Sequence, residues 1–152
     1  MRHCVIAGLA ASALLITCPI TVLSQTTAGA IAASAQRLRT EALEVTHLLR
    51  ASRPDFVAVN GKADALQSHA KALTQSLESF EASVGTLAAR QASALDRARA
   101  AGATLAIILS NKASILSDGD ASGRRRSLLR AKAEAVAKRA DIVATEMTRV
   151  GA

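Results

Sequence analysis

Glu44 and His47 stand three residues apart, a spacing that sets a carboxylate and an imidazole on one face of a helix. A dinuclear metal site between helices needs two such pairs plus two further carboxylates. No second pair is present, because the residue three before His69 is Leu66. Cys4 and Cys18 are the only thiols, and both fall in the first 30 residues. There is no Cys-x-x-Cys-His for covalent haem, no Gly-x-Ser-x-Gly elbow and no phosphate loop. Beyond residue 30 only two histidines, His47 and His69, remain and there is no thiol, so the usual acid–base and nucleophile sets do not assemble. The chain is therefore expected to be non-enzymatic, with no catalytic residue, no metal-ligand set and no cofactor, and with both histidines turned to solvent.

One stretch places oxygen ligands at alternating positions around a glycine. Asp118-Gly119-Asp120-Ala121-Ser122-Gly123 resembles the first half of an EF-hand calcium loop. The likeness covers about six residues and then stops. Arg125 stands where the motif has an apolar residue, Leu129 stands where it has its bidentate Glu, and three arginines repel the cation. An acidic turn that caps a helix accounts for the same residues.

Charge is the remaining chemical lead. The chain carries a formal +7, and Arg outnumbers Lys by 14 to 5. The densest cluster is Arg124, Arg125 and Arg126, with Arg130 and Lys132 nearby. Guanidinium groups suit bidentate contact with phosphate or carboxylate, so this patch is the candidate dock for an anionic envelope surface or an acidic partner. Its structural alternative is a solvated helix start offset by Asp118 and Asp120. Nucleic acid is not the expected partner, since Phe56 and Phe80 are the only aromatics available to stack on bases.

No charged residue lies between His3 and Arg37. Arg2 and His3, the apolar run Val5 to Leu23 and the small residues Ala28-Gly29-Ala30 have the layout of a bacterial-type signal peptide. Residues 1–30 are thus expected to be a signal segment for export to the periplasm or the outside. The alternative is an uncleaved inner-membrane anchor over residues 4–23, the one way in which the chain would be transmembrane. Leu15-Ile16-Thr17-Cys18 resembles a lipobox only in outline, with Thr17 where a small residue belongs. Residues 31–152 form a single Ala-rich domain.

These groups must be positioned by helices. Hydrophobic residues make up 50% of the chain, aromatics only 1%, and 35 residues are Ala. That excludes a β-sandwich or barrel and favours an all-α fold. Apolar positions recur at spacings of three and four. The first seam runs from Ile31 through Ala35, Leu38, Ala42 and Val45 to Leu49, and the third from Leu129 through Val136 and Val143 to Val150. The second runs from Val59 to Ile115 in unbroken alternation, with only Gln91 and Lys112 polar. Ser52, Pro54 and Asp55 mark a helix start, and Ser117 to Gly123 a loop.

A continuous helix from Asp55 to Ser117 would be roughly 90 Å long. The expected fold is therefore a long central helix with two antiparallel flanking helices, coiled-coil-like, completed by a second copy or a protein partner. Leu95, Leu105, Leu109 and Leu116 then form the self-association surface. The alternative is a compact four-helix bundle with the middle helix broken near Gly85 or Gly102. The function expected first is a structural, adaptor or interaction subunit of the bacterial cell envelope. The second is an accessory protein that holds an anionic lipid, polymer or acidic partner through the arginine patch.

Overall fold

A helix can begin at Ala28 because Thr27, in extended conformation, turns its Oγ1 back to accept from the Ala30 amide at 3.2 Å. Asp55 does the same for the next helix, accepting from the Val57 and Ala58 amides at 3.0 and 3.1 Å. Asp55 is itself the cap, and Pro54 lies just outside the helix rather than in its first turn. In the computed structural model, which describes residues 27–110 and 123–152, these caps open the first two of four helices. They are α1 (Ala28–Leu48), α2 (Phe56–Ser83), α3 (Ala89–Ser110) and α4 (Gly123–Gly151).

The long central helix is thereby corrected: the alternative, a compact four-helix bundle, is the fold. The second seam splits at residues 84–88, where Val84 takes an extended conformation and its amide closes on the Phe80 carbonyl at 2.8 Å. Ser83-Val84-Gly85-Thr86 is a run of four weak helix formers. The chain turns there, and α3 packs back along α2. The seam could not register the break because Val84 and Leu87 still pack against the core from the turn. Gly102, the other candidate hinge, lies buried inside α3.

The helices alternate in direction, and cross-links fix their register. Glu41 meets His69 and Glu44 meets Lys62 across α1 and α2. Glu81 meets Arg99 across α2 and α3, Arg97 meets Glu146 across α3 and α4, and Arg39 meets Asp141 across α1 and α4. One end of the bundle therefore gathers the starts of α1 and α3 with the finishes of α2 and α4. The main core runs through all four helices. A smaller cluster of Val45, Leu49, Val59, Leu129 and Ala133 closes the opposite end between α1, α2 and α4. The tightest pairing is α1 with α4, where Ala28, Ala32, Ala35, Ala137, Ala140 and Ala144 let the backbones approach.

The coiled-coil subunit falls with the long helix. Leu95 and Leu105, expected at a self-association surface, are core residues of the single chain, 5% and 0% exposed. The fourth helix supplies what a second copy was expected to supply. Leu116 and the side chain of Leu109 lie outside the described residues. So do residues 1–26, on which the signal segment, the anchor and the exported location rest, and the acidic turn up to Ser122. Ala28, Gly29 and Ala30, the expected processing site, form the first turn of α1. No helix among the described residues is long and apolar enough to cross a membrane.

Candidate functional site

The arginine cluster at the start of α4 does not stand free as a group. Arg126 reaches across to the end of α1, donating from Nε to the Leu49 carbonyl at 2.6 Å and from Nη2 to the Ala51 carbonyl. Those carbonyls follow the last turn of α1 and have no helical amide to receive them. Arg126 thus closes the α1–α4 end. Arg130 lies 3.9 Å from Glu134, which also faces Arg50 at 3.6 Å. Lys132 is half-buried, and the side chains of Arg124 and Arg125 lie outside the described residues.

A second basic cluster forms at the other end of the bundle, from residues far apart in the chain. Arg90, Ser93 and Arg97 follow one another at spacings of three and four, so they share a face of α3. Arg149 joins them from the last turn of α4. With Ala89 and Ala152 these side chains line an open cleft of about 540 Å³. Beside it sits Glu146, one of two buried polar residues among those described, at 7% exposure. Its Oε2 accepts from Arg97 Nη2 at 2.9 Å and its Oε1 from Arg149 Nη1 at 2.7 Å.

The electrostatics follow from that geometry. The Arg97 hydrogen bond holds the Glu146 carboxyl below its ordinary range; burial opposes this, and Arg149 adds to the lowering. Arg97 is in turn held more firmly protonated, first by its bond to Glu146. Arg97 Nη1 also donates to Ser93 Oγ at 2.7 Å, which fixes the guanidinium plane. Gln91 ties the two helices together at this point. Its Oε1 accepts from the Ala88 amide at 3.2 Å, and its Nε2 donates to the Val150 carbonyl at 3.1 Å.

This cluster was not foreseen from the sequence. The signals for it were Gln91, a polar residue in an apolar seam, and Glu146, three residues before Arg149 and adjacent to the seam residue Met147. Neither could show which arginines meet, because that depends on the break at residues 84–88.

The other candidate chemistry resolves into surface pairs. Glu44 binds Lys62 at 2.5 Å, and His47 is exposed. His69 Nδ1 lies 2.7 Å from Glu41 Oε2 with its side chain more than half exposed. Among the described residues, no group of three or more His, Cys, Asp or Glu side chains is placed to hold a metal ion. They assemble no nucleophile with an acid–base partner either. Comparison with protein-family models, curated proteins and solved structures found no match.

Proposed function

We propose that the chain is a non-catalytic accessory protein that holds an anionic partner through arginine side chains at one end of its bundle. The observation that carries this reading is the gathering of Arg90, Arg97 and Arg149 around a cleft where Glu146 is the one buried carboxylate among the described residues. Like charges are brought together there by fold geometry, on helices whose register other residues already fix. A cluster that served stability alone would be balanced by carboxylates, as Arg39, Arg99 and Lys62 are. The group from Arg124 to Lys132 is the competing location for the same activity.

The test is retention of the full chain on a dextran sulfate matrix, eluted with salt, since exposed charge contacts are screened as ionic strength rises. Changing Arg90 and Arg149 together to Ala is expected to lower the eluting salt well below that of a charge-matched control. The control carries Arg53→Ala and Arg139→Ala, both at exposed positions. Equal elution of the two variants would mean that net charge alone is being read, and the reading would fail.

A further inference from the structure

The α3–α4 cleft shows more than positive charge. Arg90 makes no ion pair among the described residues, and Arg97 and Arg149 share a single carboxylate. Glu146 is the carboxylate bonded to Arg97 and Arg149, and the charge of Asp96 also acts on Arg97. Ser93 accepts from Arg97 and donates to no described group. By contrast Ser34, Thr40 and Thr104 each turn back onto the carbonyl four residues earlier. The Ser93 hydroxyl proton is therefore available on the wall of the cleft. Ala88, which precedes α3, has no side-chain oxygen to cap the first turn. Ala89 and Arg90, whose amides belong to that turn, line the cleft. Nearby Asp96 lines a different groove, with Glu78 and Arg99 on the α2 side.

We infer that this cleft binds a phosphate monoester, an inference that rests on the anionic-partner reading above. A monoester brings about −1.5 to −2 charges at neutral pH and three acceptor oxygens, where one carboxylate brings a single charge and two oxygens. Its three terminal oxygens accept from two guanidinium forks and a hydroxyl, and Arg–phosphate pairs are frequently bidentate. The Glu146 pairs hold Arg97 and Arg149 in place before any ligand arrives, so Arg90 is the main side chain with freedom to lose on binding. Glu146 here is a positioning residue. It orients Arg97 and Arg149, and Arg90 is the group left to meet the ligand.

The test is titration calorimetry of the full chain with inorganic phosphate and with glycerol 3-phosphate at low ionic strength, using acetate for comparison. Saturable one-to-one binding of both phosphates, with acetate much weaker, is expected. Arg90→Ala and Arg149→Ala should each weaken binding by about tenfold, the effect of losing one charge-assisted partner. Arg53→Ala should leave it unchanged. The Arg90 side chain makes no hydrogen bond or ion pair among the described residues, so an unaltered thermal melt for Arg90→Ala separates lost binding from lost structure.

Flotation with vesicles of phosphatidic acid in phosphatidylcholine distinguishes the source of the phosphate. Arg90-dependent capture on vesicles identifies a lipid headgroup, and binding of the soluble esters alone a free phosphate. No phosphate binding, equal binding of acetate, or binding that survives Arg90→Ala would overturn the inference. The broader reading would still stand if dextran sulfate retention depended on Arg90 and Arg149, and both would fall if it did not.

Discussion

Gly102 on α3 lies so close to α2 that a Cβ built on it would fall 2.7 Å from Leu77 Cδ1. Leu77 is only 2% exposed, so its side chain has little room to retreat. Gly61, also inside a helix, has nothing within 4 Å of its Cβ position. The two glycines should therefore respond oppositely to the same change. Gly61→Ala gains helix propensity and is expected to stabilise by about 0.5–1 kcal/mol. Gly102→Ala gains the same amount but overpacks the α2–α3 contact at a cost of about 1–3 kcal/mol, so a net loss is expected. Urea melts of both variants measure this. Leu77→Ala in the Gly102→Ala background should cost less than Leu77→Ala alone.

Leu105 separates the observed bundle from an elongated assembly. It is fully buried by its own chain, so Leu105→Ala should destabilise the fold by about 2–5 kcal/mol. The unfolding midpoint should not depend on protein concentration in parent or variant. An interface leucine would behave differently, since its loss would shift the midpoint with concentration. Melts over a hundredfold range of concentration give the comparison.

Glu146 makes stability depend on acid. Its carboxyl titrates below the ordinary value of 4.5 in the folded protein, so the unfolded chain binds the proton more readily. The stabilisation is complete above the unfolded value and disappears as pH falls through the lowered folded value. Melting temperature is expected to be flat near neutrality and to drop below about pH 4.5, with a smaller drop for Glu146→Gln. At neutral pH that variant should itself lose about 1 kcal/mol, because Arg97 and Arg149 then face each other without a full counter-charge. The figure sits at the low end of that range because both guanidinium groups are half exposed.

Much of the bundle was legible in the seams. Ile31 through Leu49, Val59 through Leu77 and Leu129 through Val150 are the buried faces of α1, α2 and α4, as their spacing implied. Burial acts on every turn of a helix, so periodicity records it well. What periodicity cannot record is a turn whose own residues keep packing inward, as Val84 and Leu87 do. The weak helix formers from Ser83 to Thr86 were the local signal, and the glycine alone drew attention from them. The basic site was hidden for the same reason. Arg90, Arg97 and Arg149 meet only once α3 is a separate helix lying against α4. The arginines from Arg124 to Arg126 are adjacent in sequence, yet Arg126 is drawn to the carbonyls of α1.

Arg126 offers a last contrast between packing and binding. Its guanidinium serves two carbonyls, Leu49 and Ala51, at the point where α1 ends. Arg126→Ala strands both acceptors. Water can reach Ala51, which is exposed, but Leu49 is 1% exposed, so a loss of about 1–2 kcal/mol is expected. Lysine keeps the charge but lacks the planar fork that meets two carbonyls at once, so Arg126→Lys should recover only part of the loss. Amide hydrogen exchange should rise across residues 49–53 in both variants, because the segment is tied down from α4 at this point. Elution from dextran sulfate should fall no further for Arg126→Ala than for Arg53→Ala. A larger fall, with exchange unchanged, would move the anion-binding surface to the start of α4 and away from the α3–α4 cleft.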